Sequence, residues 1–196
     1  DSINQDAISK ANKYIECRGP DSKIIDSKKL NSFNIACIFN RLSILDLSEN
    51  ANQPMLDTSS RYVISFNGEI YNFKEIKKKL ISKGVIFKTK SDTEVILESY
   101  KEWKEKCLEL FEGMFVFIIW DKIKETYDRS VINHHQIFFK EVDCEAEENA
   151  DLVKEMKIEG YPTIFMRKNG QNIEYDAKPE YKTLELFIKS VLNNSE

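Results

Sequence analysis

The sequence runs to 196 residues, longer than a typical single domain, so one large domain or two small ones are expected, and 41% hydrophobic residues are enough for a packed core. No stretch approaches the ~18 apolar residues of a membrane span, and the opening DSINQDAISK has neither a signal-peptide pattern nor an initiator Met, so the natural start is expected to lie elsewhere. The formal net charge of −4 with acids and bases interspersed argues against nucleic acid, while Cys17, Cys37, Cys107 and Cys144 lie far apart without a C-x-x-C pair, which favours free thiols and a cytoplasmic setting over a disulfide framework.

In chain order, residues 7–15 (AISKANKYI) read as a short helix that RGPDS (18–22) breaks with Gly and Pro. FNIACIF (33–39) reads as a buried strand leading into Arg41, and RYVISF (61–66) as another. The Asn67-Gly68 dipeptide is a hairpin signal, but the residues after it are helical rather than alternating, so a strand-to-helix corner is expected. Asn72 with Glu75 forms a capping box for a helix whose apolar stripe is Phe73, Ile76, Leu80 and Ile81, ending at Gly84. GVIFKT (84–89) predicts a short strand. Ser91 with Glu94 then opens a second helix carrying Val95, Ile96, Tyr100 and Trp103, and MFVFIIWD (114–121) is a continuous apolar run of buried-strand type.

Past residue 122 the pattern changes. KETYDRSVINHH (124–135) predicts helix, IFFKEVD (137–143) a buried strand, and AEENADLVKEMKI (146–158) a helix. Two strands follow, joined at Asn169-Gly170, and a last helix carries Leu184, Phe187, Ile188 and Leu192 on one face. Strand-helix-strand-strand-helix is a unit of its own, which places a boundary near 122–128.

Arg41, Asn67-Gly68 and Asp92 each follow or interrupt a strand, where loops present side chains from a rigid scaffold. Together they suit an amino acid: a guanidinium pairs with an α-carboxylate, a carboxylate accepts from an α-ammonium, and an amide plus a backbone N–H can hold an oxyanion. Each also has a plainer reading, with Arg41 in a surface salt bridge, Asn67 in a turn and Asp92 in a helix cap.

RGPDS (18–22), RLSILDLS (41–48), QPM (53–55), NGEIYN (67–72), SDTEV (91–95) and GMFVFIIWD (113–121) stand in the order and spacing of the glutaminase domain of glutamine-dependent asparagine synthetases, which the chain resembles over residues 7–121. Those are class II glutamine amidotransferases with an N-terminal-nucleophile fold. The resemblance implies a sandwich of two antiparallel sheets between helices and glutamine hydrolysis that feeds ammonia to a synthetase domain or partner. It places the carboxylate-binding Arg on Arg41, the oxyanion-hole pair on Asn67 and Gly68, the glutamine-contacting Glu on Glu69 and the ammonium-binding Asp on Asp92.

The chain also departs from that family. The family nucleophile is an amino-terminal Cys, whereas residue 1 is Asp, so the nucleophile is expected to be missing from this chain. Cys17 stands where the family has His before Arg-Gly-Pro-Asp, and Cys17 and Cys37 read as core or lining thiols. The closing strands and the synthetase domain that would use ATP and Mg are also expected to be missing, leaving no cofactor and no metal here.

Residues from about 130 to 192 resemble the C-terminal half of a thioredoxin-like domain, chiefly through Gly160-Tyr161-Pro162-Thr163, where the family Pro is cis. The redox Cys pair has no counterpart; Cys144 reads as a structural thiol, and His134-His135 as a solvated helix end rather than metal ligands. The expectation is therefore an α+β chain with a partial Ntn-type αββα sandwich over 1–122 and a partial thioredoxin-like α/β unit over 129–196. Three functions stay open: a glutamine amidotransferase of asparagine-synthetase type, a redox or isomerase protein, and a non-catalytic interaction protein. Glutamine is the expected partner, without nucleic acid or membrane.

Overall fold

The computed structural model describes residues 4–29, 34–160 and 163–193. The chain divides into two compact units, Asp1–Asp121 and Lys122–Glu196. It is of the α+β class, and every strand pair among the described residues is antiparallel.

Helix α1 (Gln5–Ile15) starts at Asn4, whose side chain accepts the Ala7 N–H at 3.1 Å. It buries Ile8 and Asn12, four positions apart on one face, and Asn12 is satisfied by the Asn40 side chain at 3.2 Å. Strands β1 (Ser22–Lys29) and β2 (Asn34–Arg41) form a hairpin that pairs Ser22 with Arg41 and Asp26 with Cys37. The expected buried strand FNIACIF is thus one arm of a two-stranded ribbon. It is half-buried from Cys37 to Asn40 because no third strand among the described residues pairs with it.

Strands β3 (Met55–Leu56), β4 (Tyr62–Ile70) and β5 (Gly113–Asp121) form the second sheet. The chain does not turn at Asn67-Gly68: β4 continues to Ile70, with Asn67 opposite Val116 and Gly68 opposite Phe115. Gly68 is required because its φ is +140° and a Cβ there would lie 2.2 Å from the Met114 carbonyl oxygen. The change of direction falls at Tyr71-Asn72 instead. β5 is not buried on both faces. Phe115, Phe117 and Ile119 pack into the core, while Met114, Val116 and Ile118 are exposed on the other side.

Helices α2 (Phe73–Ser82) and α3 (Asp92–Trp103) cover the inner face. α2 buries Ile76 and Leu80 and leaves Ile81 exposed, so its stripe is narrower than expected. α3 is buried along Asp92–Ser99, because α2 lies on one side and β4 on the other. Ile64, Ile70, Leu80, Val95, Ile96 and Leu97 are fully excluded from solvent; burying each such side chain is worth ~1.5–3 kcal/mol.

Neither expected capping box closes. Asn72 precedes α2, but its side chain donates to Leu110 O at 2.9 Å and accepts Glu112 N–H at 3.1 Å, stapling the helix start to the approach of β5. Ser91 caps α3 through Thr93 N–H at 3.0 Å, while Glu94 reaches back to the N–H groups of Lys88 and Thr89 at 2.9 and 2.7 Å. These bonds also explain why GVIFKT is not a strand. Val85 N–H closes α2 on Leu80 O, and the N–H groups of Lys88 and Thr89 are held by Glu94, so donors at both ends of the segment are taken from any ladder.

In the second unit, α4 (Lys122–Tyr127) stops well short of the helix expected to residue 135. Strands β6 (Val131–Ile132) and β7 (His135–Gln136) replace its end, turning at Asn133-His134 with φ of 48° and 66°. His134 and His135 are therefore hairpin residues, and they do not form a helix end. IFFKEVD forms no strand: Ile137 bonds back to Ser130 and Arg129, Phe139 N–H goes to Asp128, and the chain leaves the ladder.

α5 (Ala150–Glu155) is shorter than predicted, and β8 (Ile164–Lys168) and β9 (Gln171–Tyr175) pair around Asn169-Gly170 as expected. In α6 (Tyr181–Asn193), Leu184, Ile188 and Leu192 pack with Ile123, Tyr127 and Tyr175. Without the 137–143 strand the unit lacks the opening element of the thioredoxin-like order, and among the described residues its sheets are two antiparallel pairs. Tyr161 and Pro162, the expected cis-proline site, lie outside the described residues. No helix is long and apolar enough to cross a membrane among those described.

Candidate functional site

Arg41 ends β2 with only 8% of its surface exposed. Its Nη1 donates to Ser48 O at 2.8 Å and to Asn52 Oδ1 at 2.9 Å, and its Nη2 donates to Asp46 O. All three acceptors are neutral oxygens, so the surface salt-bridge reading does not hold. The guanidinium borders an open cleft of about 510 Å³, with Asp21, Ser22, Ser43, Glu49 and Asn52 around it. The guanidinium is thus a buried cation at the wall of a polar cleft, bonded to neutral oxygens and close enough to the Asp46 carboxyl for its charge to help lower it.

The loop that supplies these acceptors is itself tied down. Asp46 accepts Ser48 N–H and Lys90 N–H, both at 2.7 Å, the latter from the segment leading into α3. The Lys90 N–H, the Ser48 hydroxyl and the Ser48 N–H together pull the Asp46 carboxyl down to about 2.

Asn67 and Glu69 project from the outer face of β4, and both are exposed. Asp92 opens α3 and is 6% exposed; its Oδ2 accepts Ile70 N–H at 3.1 Å, clamping the helix start to the end of β4. Ser91 is the helix cap, so the capping reading of Asp92 gives way to this clamp. Burial raises the Asp92 carboxyl above its ordinary range and the Glu69 charge pushes the same way, while N–H donors from Ile70 and Thr93 oppose. The Glu69 charge thus acts on a buried carboxyl where β4 ends and α3 begins.

The Asn52-Gln53 dipeptide links the two regions. Asn52 holds Arg41, and Gln53, buried, accepts Phe66 N–H at 2.5 Å and points its amide at Thr93 Oγ1, 3.5 Å away. Phe66 precedes Asn67 and Thr93 follows Asp92, so one dipeptide joins three segments. The Glu69 charge acts on Asp92, whereas Arg41 is connected to their segments only through this dipeptide; Asn67, Gly68, Glu69 and Asp92 do not line the Arg41 cleft. Asp46 and Asn52 were not singled out from the sequence. The available signal was their place in or beside the RLSILDLS and QPM motifs.

The cysteines are free. Cys17 is exposed rather than a core thiol, Cys37 is half-buried, and burial pushes Cys107 up to about 11. Among the described residues no group of three His, Cys, Asp or Glu side chains could hold a metal ion, His134, His135 and Cys144 included.

The model of the glutamine amidotransferase domain family matches residues 1–145, beyond Asp121 where the sequence motifs end. Asparagine synthetase [glutamine-hydrolyzing] 1 of Bacillus subtilis is 33% identical over 98% of this chain and 30% of its own length. Asparagine synthetase [glutamine-hydrolyzing] 2 of the same organism is 45% identical over 56% of this chain and 14% of its own. A solved glutamine phosphoribosylpyrophosphate amidotransferase from B. subtilis, complexed with ADP and GMP, aligns over 38% of this chain and 19% of that one at 24% identity and a TM-score of 0.34. The chain spans less than a third of the length of the curated relatives it matches.

Proposed function

Because this chain belongs to the glutamine amidotransferase domain family, we infer that it is the glutamine-binding part of an amidotransferase of asparagine-synthetase type, with the partial Ntn-type sandwich in residues 1–122. The roles follow the resemblance: Arg41, at the cleft wall, takes the α-carboxylate of glutamine, and Asp92 with Glu69, which lie outside that cleft, take the α-ammonium. The side-chain amide of Asn67 and the backbone N–H of Gly68 donate to the oxygen that becomes negative when the amide carbon turns tetrahedral. In the resembling family the attacking group is the thiolate of an amino-terminal Cys, whose own α-amino group takes the thiol proton. The thiolate adds to the side-chain carbonyl, the proton taken from the thiol passes to the leaving nitrogen so that ammonia departs and a thioester forms, and water then cleaves the thioester to release glutamate and restore the thiol.

The ammonia acceptor belongs to a synthetase part or partner, which is also where ATP and Mg would serve; no described residue is assigned to them. Free, widely spaced thiols agree with a cytoplasmic setting. A disulfide-exchange role for residues 122–196 has less support, since Cys144 is half-buried with its thiol facing Val142 O at 3.7 Å.

The observation that carries the reading is the guanidinium of Arg41, buried, held by neutral oxygens and facing a cleft. Calorimetric titration of the 196-residue chain with L-glutamine tests it. Saturable binding that Arg41→Ala abolishes is expected, and no binding at millimolar glutamine overturns the reading. In a longer protein carrying the amino-terminal Cys, ammonia release is the matching assay.

A further inference from the structure

A guanidinium carries five N–H donors in one plane. In Arg41 both hydrogens of Nη1 are engaged, by Ser48 O and Asn52 Oδ1, and one hydrogen of Nη2 is engaged by Asp46 O. The end-on fork through Nη1 and Nη2 is therefore closed. The donors not engaged in these bonds are Nε–H and one Nη2–H, which leaves the guanidinium capacity for a further acceptor.

Of the three acceptors that impose this orientation, two are main-chain carbonyls and only Asn52 contributes a side chain. Its backbone is anchored by its neighbour Gln53, buried and bonded to Phe66 N–H at 2.5 Å. Position 52 is thus where a side chain, rather than the main chain, holds the guanidinium at the cleft wall. Asp21 and Glu49 also line the cleft and disfavour an anion, and Arg41 is the cation among the described residues that line it, so how Arg41 is held bears on whether a carboxylate is accepted.

We propose that Asn52 is a positioning residue that orients Arg41 and thereby makes the cleft select ligands with a free α-carboxylate. The inference rests on the glutamine reading and specifies how that site discriminates.

The test compares calorimetric affinities of the wild-type chain and Asn52→Ala for L-glutamine and for L-glutaminamide, in which an amide replaces the α-carboxylate. The wild type is expected to prefer glutamine by about tenfold or more, the range for a hydrogen bond to a charged group. Asn52→Ala should lose about tenfold on glutamine and little on the amide, so that the preference collapses. Partial unfolding lowers the active fraction for both ligands alike, so the ratio of affinities within one variant still decides. Equal weakening of both ligands, or unchanged glutamine affinity, overturns the role of Asn52 while leaving glutamine binding in place. A wild-type chain that binds neither ligand overturns the glutamine reading itself, and this inference with it.

Discussion

The carboxylate of Asp92 accepts the backbone N–H of Ile70 at 3.1 Å, so the first residue of α3 holds the last residue of β4. The same carboxyl is buried and raised, which makes it costly to ionise in the folded chain. A raised folded value means that its contribution to stability is full below the unfolded value and is lost as pH rises through the folded one. Asp92→Asn, which keeps an acceptor for Ile70, is therefore expected to melt no lower than wild type at pH 7 and to lose about tenfold or more in glutamine affinity. Thermal melts and calorimetry on the one variant check both; a lower melting point with unchanged affinity would make Asp92 a structural clamp alone.

Asp46 has the opposite sign. Its folded value lies near 2 against an ordinary 3.8, so the stability it contributes is present above the unfolded value and disappears as pH falls toward the folded one. Wild type should lose stability between about pH 4 and pH 2 more steeply than Asp46→Asn, in urea titrations across that range. Parallel acid limbs for the two proteins would count against the pairing with Lys90.

Gly68→Ala is expected to cost about 3 kcal/mol or more, since it combines a φ of +140° with a Cβ 2.2 Å from the Met114 carbonyl oxygen. The strand pair must separate locally to admit it. A shift in the urea midpoint is the readout, and a loss below ~1 kcal/mol would mean that β4 and β5 do not approach so closely.

Glu94 accepts the N–H of Lys88, the N–H of Thr89 and the Thr89 hydroxyl. Glu94→Ala strands these donors and should destabilise the chain by about 2–3 kcal/mol. Amide hydrogen exchange at residues 88 and 89 should accelerate ahead of the rest of the unit. Uniform acceleration throughout would point to global destabilisation rather than to a released loop.

The five residues of the proposed pocket stand in motifs that can be picked out by eye, yet their partners cannot. Arg41 bonds residues 46, 48 and 52, Gln53 bonds 66, and Asp46 bonds 90. Those contacts depend on the path of loops, and no periodicity encodes them. Asn72 and Glu94 show the same limit from the other side. Both satisfy a capping pattern, but Asn72 bonds the approach to β5 and Glu94 the 88–89 segment. Each motif correctly marked a helix start while misassigning the bond.

Helices α1, α2, α3 and α6 follow from residue spacing alone, because a helix buries the face that its own periodicity creates. Strands depend on neighbours that spacing does not name. SKIIDSKK became β1 only by pairing with β2, GVIFKT lost its ladder to Glu94, and IFFKEVD lost its own to the turn at Ser130 and Asp128. The Asn67-Gly68 corner is decided in the same way. The dipeptide alone suggests a turn, but nine residues of pairing with β5 hold it in a strand, and only the missing Cβ of Gly68 lets the two backbones meet.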